Sequence, residues 1–457
     1  MFNYIPRIAY VVTALSSLSM VTAINLDINN KSSVCDAAKI VMNGALNYYE
    51  GLKYGGTVGM FAPPNYWWNA GEAFGGIVDY FSFCDSNNKT LESLIMDAMY
   101  HQAGENFNYV PSNQSMTEGN DDQGVWAMAI MQAVERNFTN PESHSWLELT
   151  IAAFNTMNSR WDTEHCNGGL RWQIFSWNSG YDYKNSIANG CLFHLAARLA
   201  RYLDNDTYAQ VAEKVWDWMV DVGFLVDDTG NVTLYDGADI STNCTDLTKK
   251  QWSYTYGIFM AGAAYMYDYN QDNKWLKGAT DLVDTSSWFF ENDIMVERQC
   301  FFSKTCNNDQ RSFRSLFSRC LGLTSLLVNS THNQISTWIQ TSAKGAAASC
   351  NGGTDGVTCG QDWSKGTWDG IFGLGEQTGA LEVINAVIVT TPDKLSQVPK
   401  AQADAVMSSI DFNSGLGSQD NVNLNEITVT GKDKAGAGAL TAIVLAIILA
   451  GGIWMVL

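Results

Sequence analysis

Between about residues 30 and 395 apolar residues recur at three- and four-residue spacing, in segments rich in Ala, Leu and Met, and no run alternates as a half-buried strand must. The spacing predicts twelve helices, near 35–52, 67–82, 90–102, 121–137, 145–160, 185–203, 206–222, 252–268, 274–291, 311–328, 333–347 and 369–389, in six consecutive pairs. Two kinds alternate. One opens on polar and aromatic residues and then turns apolar and small on all sides, as at Trp67-Trp68-Asn69-Ala70-Gly71-Glu72, Asn120-Asp121-Asp122-Gln123, Tyr183-Lys184-Asn185, Gln251-Trp252-Ser253-Tyr254 and Thr367-Trp368-Asp369. The other, as at 208–222, has one wet face. Six helices buried all round and ringed by six amphipathic ones make an all-α double toroid, an (α/α)6 barrel. The polar and aromatic openings of the inner helices then converge at one end. An irregular α-solenoid is the rival, but no fixed repeat supports it.

The ends of the chain carry processing signals. Arg7 precedes an apolar run, Ile8 to Val21, and then Val21-Thr22-Ala23, whose small residues suit signal peptidase. The expected signal is 1–23, the mature start Ile24. After a helical domain at 24–395, the stretch 396–431 loses aromatics and gains Ser, Asn, Asp and Gly, which reads as a stalk. Beyond it come small residues around Gly431, a short spacer holding Lys432 and Lys434, and an apolar tail from about Leu440 to Leu457. That order is a GPI-attachment pattern, with Gly431 as attachment residue and 432–457 as the removed propeptide. A retained membrane span is the alternative reading of the tail.

Ten cysteines in a chain routed through an oxidising compartment are expected to be mostly paired, with Cys300–Cys306 and Cys350–Cys359 near enough to clip loops. N-glycosylation sequons fall at Asn30, Asn88, Asn113, Asn137, Asn205, Asn231, Asn243 and Asn329. The formal charge of −20, from 27 basic against 47 acidic residues, argues against a nucleic-acid or polyanion partner and favours a neutral substrate. The 16 Trp, 19 Tyr and 20 Phe offer flat faces for sugar rings, or simply an aromatic core.

The adjacent carboxylates Asp121 and Asp122 at an inner-helix start have two readings. In one, Asn120 caps the helix with Gln123 in a capping box, and the acids answer the helix dipole. In the other, two carboxyls at the barrel mouth serve as nucleophile and general acid/base for glycoside cleavage, which retaining enzymes place about 5–5.5 Å apart. No HExxH, P-loop or GxSxG motif is present, and His101, His144, His165, His194 and His332 form no metal set, so no metal or cofactor is expected.

The strings Asn120-Asp121-Asp122-Gln123, Cys166-Asn167-Gly168-Gly169-Leu170-Arg171-Trp172, Tyr183-Lys184-Asn185-Ser186-Ile187-Ala188-Asn189, Leu234-Tyr235-Asp236-Gly237 and Trp252-Ser253-Tyr254-Thr255-Tyr256-Gly257, in this order, resemble glycoside hydrolase family 76, and within it the fungal cell-wall branch of mannan endo-1,6-α-mannosidases. The resemblance spans about residues 30–390. It implies an (α/α)6 barrel and a retaining attack on α-1,6-linked mannose, with Asp121 as nucleophile and Asp122 as general acid/base. Trp172, Lys184, Asn185, Asp236, Trp252 and Tyr254 would line the glycan cleft, and Trp126 is either core or cleft floor. Implied partners are α-1,6-mannose glycans, GPI-anchor glycans, wall glucan acceptors and, through the GPI lipid, the outer face of the plasma membrane. Two rival functions are a glycan-binding wall protein without turnover and a calcium-dependent inverting mannosidase; adjacent aspartates disfavour the second, which needs carboxyls further apart.

Overall fold

The computed structural model describes residues 23–391, 410–416 and 431–456. The expected leader up to residue 22 and the stalk outside 410–416 lie beyond the described residues.

Twelve helices form the body: α1 (Lys31–Leu46), α2 (Trp67–Cys84), α3 (Lys89–His101), α4 (Asn120–Glu135), α5 (Trp146–Ser159), α6 (Ser186–Leu203), α7 (Asp206–Asp221), α8 (Ser253–Asn270), α9 (Asn273–Thr285), α10 (Arg314–Leu327), α11 (His332–Ser349) and α12 (Leu374–Val389). The even-numbered helices pack in chain order into a ring that closes where α12 meets α2. The odd-numbered ones lie outside it: α3 against α2, α5 against α4, α7 against α6, α9 against α8, α11 against α10 and α12, and α1 against α12. The alternation in sequence explains the layers. All 16 residues of α12 are buried, whereas α9 buries one stripe, Trp275, Gly278, Ala279, Leu282 and Val283. Small residues let the inner helices approach: a Cβ on Gly124 of α4 would lie 2.3 Å from the Cys191 Cβ of α6. Side chains of Asn30, Asn88, Ser145, Asn205 and Asp272 accept backbone N–H groups at the starts of outer helices, supplying acceptors for donors a first turn leaves unpaired.

The end of the ring away from the helix openings is closed by buried charge. Arg198 meets Glu135 at 2.8 Å and Gln132 at 2.9 Å, Tyr265 donates to Glu135 at 2.9 Å, Arg136 meets Asp79 at 2.7 Å, and Arg319 pairs with Glu382. Each ion has a counter-ion, the condition under which buried charge is tolerated.

Four features depart from the sequence reading. The helix expected over 274–291 ends at Thr285, where the chain passes into a 3-10 turn, Ser286–Phe289, and a strand, Phe290–Glu291. Helix α1 stops at Leu46, because Tyr49 leaves it to bridge Phe61. Helix α12 starts at Leu374 rather than 369, because Asp369 is used in a loop, where its carboxylate accepts the Gln361 and Asp362 N–H groups at 3.2 and 3.0 Å. Short strands are present where none was expected: β1 (Tyr183–Asn185), β2 (Leu225–Asp228), β3 (Asn231–Leu234), β4 (Gly237–Asp239), β5 (Leu247–Thr248), β6 (Phe290–Glu291) and β7 (Ile294–Met295). They form the antiparallel sheet β1-β4-β5 and the hairpins β2-β3 and β6-β7. Runs of two to four residues are too short to carry a period.

Disulfides join Cys35 to Cys84, Cys166 to Cys244, Cys300 to Cys306 and Cys350 to Cys359, and Cys191 and Cys320 are buried thiols. Residues 410–416, within the expected stalk, lie against the second half of α5. Asn155 Nδ2 donates to the Phe412 and Ser414 carbonyls at 3.0 and 2.8 Å, and Ile410 and Phe412 pack on the core. Residues 410–416 thus lie on the barrel as a strap. Helix α13 (Gly431–Val456) is exposed over 434–450, and its segment Lys434–Gly451 is long and apolar enough to cross a membrane.

Candidate active site

A cleft of about 480 Å³ opens where the inner helices begin. Helices α2, α4, α6, α8 and α10 all contribute residues from their first turns or the loops before them. The aromatic and polar openings therefore meet at one end, as the double-toroid reading requires.

Asp121 and Asp122 occupy the first turn of α4 and line the cleft. The capping box expected of Asn120 and Gln123 is not what starts this helix. Gly119 is the N-cap, and its N–H donates to Asp122 Oδ2 at 2.6 Å. Asn120 and Gln123 instead anchor loops: Asn120 Nδ2 donates to the Arg171 carbonyl at 2.9 Å, Gln123 Nε2 to the Asn108 carbonyl at 2.7 Å, and both side-chain oxygens accept from Arg160. The two carboxyls sit in unlike surroundings. Asp121 accepts Trp172 Nε1 at 2.9 Å and the Asp122 N–H at 3.1 Å. Burial raises its pKa, and these donors partly offset that. Asp122 has one backbone donor, from Gly119, and its pKa rises further, from burial and then from the charge of Asp121. One carboxyl is thus disposed to ionise while its neighbour keeps a proton.

Trp172 is 37% exposed and forms one wall. Its ring lies on Gly180, where φ is +94° and an added Cβ would sit 2.3 Å from Trp172 Cε3, so only glycine leaves room for it. Asp236, in the turn from β3 to β4, accepts Trp252 Nε1 at 2.7 Å and the Tyr183 hydroxyl at 2.6 Å, fixing two more cleft side chains. Asn185 lines the cleft and caps α6 by accepting the Ala188 N–H at 3.1 Å. Tyr254 stacks on Phe313 at 3.8 Å with ring planes 4° apart.

Lys184, expected in the cleft, and Trp126, read as either core or cleft floor, both lie outside it. Lys184 is fully buried, and its Nζ donates to the carbonyls of Asp162, His165 and Gly168 at 2.9, 2.7 and 2.6 Å. Along β1 alternate residues point to opposite faces, so the strand that sends Tyr183 and Asn185 to the cleft turns Lys184 away from it. Trp126 is fully buried among Trp67, Phe74 and Tyr109, with Nε1 donating to the Trp67 carbonyl at 3.1 Å. It is a core residue, not the cleft floor.

Trp68, Glu118, Asp309 and Phe313 line the cleft without having been singled out. Trp68 stood in a recognised helix opening. Asp309 and Phe313 precede α10, whose opening matches no string quoted above, and the fold carries them across the ring to face α4. No group of three or more metal-ligating side chains is present among the described residues. Of the sequon residues, Asn30, Asn113, Asn137, Asn231, Asn243 and Asn329 are exposed and Asn88 and Asn205 half-buried; Gly431 is exposed at the start of α13.

The family description Glycosyl hydrolase family 76 matches residues 33–398. Mannan endo-1,6-alpha-mannosidase DFG5 of Candida albicans is 62% identical over 95% of this chain and 96% of its own, and the Saccharomyces cerevisiae protein of that name is 51% identical over 97% and 96%. Among solved structures, Dfg5 from Chaetomium thermophilum in complex with glucosamine is 33% identical, with a TM-score of 0.77 over 87% of this chain and 99% of that one. The GH76A alpha-1,6-mannanase of Salegentibacter sp. HEL1_6, 16% identical, shares the fold at a TM-score of 0.62 over 78% of this chain and 100% of that one. With a family match along most of its length and close relatives over nearly all of it, the chain belongs to glycosyl hydrolase family 76.

Proposed function

We propose that this protein is a retaining glycosidase or transglycosylase of the cell surface, acting on α-1,6-linked mannose in mannan or in GPI-glycan cores and serving fungal cell-wall biogenesis. The observation that carries this reading is the unequal pair at the cleft: Asp121 with two N–H donors, and Asp122 with one donor beside a like charge. Asp121 attacks the anomeric carbon as Asp122 protonates the departing glycosidic oxygen. Asp122 then takes the proton of the incoming water or sugar hydroxyl, and the glycosyl-Asp121 bond breaks. Trp172, Trp252 and Tyr254 supply ring faces, and Asp236 and Asn185 polar contacts. The names of the relatives support the substrate class.

The C-terminal pattern supports attachment to the outer face of the plasma membrane through a GPI lipid at Gly431; the eight sequons are the N-glycan sites of this reading, and wall glucan or GPI glycans its acceptors. The test is to incubate residues 24–430 with α-1,6-mannooligosaccharides, with and without a β-glucan or GPI-glycan acceptor. Wild type is expected to give shortened or transferred products, and Asp121→Asn and Asp122→Asn none. Variants as active as wild type, or sugar binding without turnover, would sink the enzymatic reading.

A further inference from the structure

The loop that ends on Trp172 borders a second cavity besides the cleft, an open trough of about 730 Å³ that shares no lining residue with it. Trp161, just past the end of α5, forms one part of its wall, and the second half of α7, with Lys214, Asp217, Trp218 and Asp221, forms another. Cys166 and Asn167 of the loop complete it with Asn243 and Cys244, to which the Cys166–Cys244 disulfide ties them. Apolar and polar groups are mixed here as they are in a pyranose, which has a C–H face and a rim of hydroxyls. Half-buried Trp161 meets Trp218 edge to face, with centroids 5.7 Å apart. Lys214 Nζ lies 4.2 Å from the Trp161 ring centre and donates to Asn158 Oδ1 at 3.3 Å, with further N–H groups to give, and the exposed carboxylates of Asp217 and Asp221 are acceptors.

Asn243 brings the attachment atom of a sugar to this wall. It is exposed and opens the sequon Asn243-Cys244-Thr245. Its Oδ1 accepts the Cys166 N–H at 2.9 Å, which pins the amide against the trough. Nδ2 belongs to the same planar group, so it is pinned as well, and it makes no hydrogen bond among the described residues. N-glycosylation substitutes Nδ2 and leaves Oδ1 an acceptor, so the bond to Cys166 survives it. At Asn88, by contrast, Nδ2 already donates to Asp85 Oδ2 at 2.9 Å.

We propose that the first N-acetylglucosamine of an N-glycan on Asn243 is seated in this trough against Trp161, and that it braces the loop from Asp162 to Trp172. The proposal rests on the reading of Asn243 as a used sequon and not on the roles of Asp121 and Asp122. Attachment forms the Nδ2–C1 bond as the C1–O bond to the diphosphate of a lipid-linked oligosaccharide breaks, and the Nδ2 proton leaves with the diphosphate. Once tethered, the sugar meets the trough at the high effective concentration of an intramolecular ligand, so contacts too weak to hold a free sugar suffice to seat it. The loop is already gripped by Lys184 Nζ, on the carbonyls of Asp162, His165 and Gly168, and the seated sugar adds a second hold at Cys166 and Asn167.

The test uses the full chain, expressed in a yeast and released from its membrane with detergent, and follows each glycan by peptide mapping during digestion with endoglycosidase H, which cuts between the two core N-acetylglucosamines. Asn243 is expected to be occupied, and its glycan to be trimmed about tenfold more slowly than those on the other occupied sequons, the factor that one good aromatic contact supplies. Denaturation should abolish the difference. Trp161→Ala keeps the glycan and should lose the protection. Thr245→Ala removes the glycan but keeps Asn243 and its bond to Cys166, and should speed amide hydrogen exchange over residues 162–168. An unoccupied Asn243, a glycan trimmed as fast as the others, protection that persists in a folded Trp161→Ala protein, or unchanged exchange in Thr245→Ala each overturns the proposal and leaves the function of Asp121 and Asp122 standing. Should Trp161→Ala not fold, a crystal structure of the glycosylated wild type decides instead: the first sugar on Asn243 must touch the Trp161 ring, and a sugar directed into solvent overturns the seat.

Discussion

Replacing Lys184 by methionine separates a ligand-binding lysine from a structural one. The ammonium makes three hydrogen bonds to carbonyls at 2.6–2.9 Å and lies 3.3 Å from Asp162 Oδ2. Burial lowers its pKa to about 8, so it is charged at neutral pH. Hydrogen bonds from a charged donor contribute about 1.5–3 kcal/mol each, and the variant recovers part of this by not burying an ion; a net loss of about 3–5 kcal/mol is expected. Asp162 is not stranded, because Arg171 Nε still reaches it at 3.1 Å. At about 2 °C per kcal/mol for a large domain, Lys184→Met should melt ~6–10 °C lower. Below that melting range its KM for mannooligosaccharides should be unchanged, since the side chain faces away from the cleft. Differential scanning calorimetry with steady-state kinetics reads both. An unchanged Tm with a raised KM would refute the cage and return Lys184 to the glycan.

The acid limb of kcat/KM should lie above the ordinary aspartate range, because burial raises Asp121; Trp172→Phe removes a donor that favours its charged form and should move that limb higher still, and a limb at the ordinary value would contradict the burial argument. Burial raises Glu72 from 4.5 to about 8 in the folded state, so its contribution is present below the unfolded value and lost as pH rises through about 8. Wild-type stability in urea should accordingly fall across that window, and Glu72→Gln should flatten the fall; parallel curves would rule the group out. Asn155→Ala removes two hydrogen bonds to the strap, each worth about 1 kcal/mol, and should expose 410–416 to proteolysis up to about 30-fold faster with the barrel's melting unchanged. Equal cleavage rates would mean that the strap is held by its apolar contacts alone.

The layers of the fold were legible because burial all round and burial on one stripe leave different sequences, as α12 and α9 illustrate. The convergence of Trp172, Asn185, Asp236, Trp252 and Tyr254 on Asp121 was legible through the ordered strings. Lys184 was misplaced because β1 is three residues long, too short to display the alternation that turns its side chain inward. Trp126 lies one turn beyond Asp122, and only packing against Trp67 and Tyr109 decides that it serves the core. Glu118 and Asp309 sit in loops without a period, so nothing local distinguished them from other solvated acids.

The strap on α5 has a geographical consequence. It grips Asn155, one turn before the end of α5 at which Arg160 reaches Asn120, so the chain leaves the barrel beside the rim of the cleft. Residues 417–430 then separate it from Gly431, and a chain of that many residues reaches at most ~50 Å. With a lipid at Gly431, the cleft would patrol a shell no deeper than that above the bilayer. Its choice of glycan would then be made by altitude as well as by chemistry, with sugars rooted in the membrane within constant reach and mannan in the outer wall beyond it.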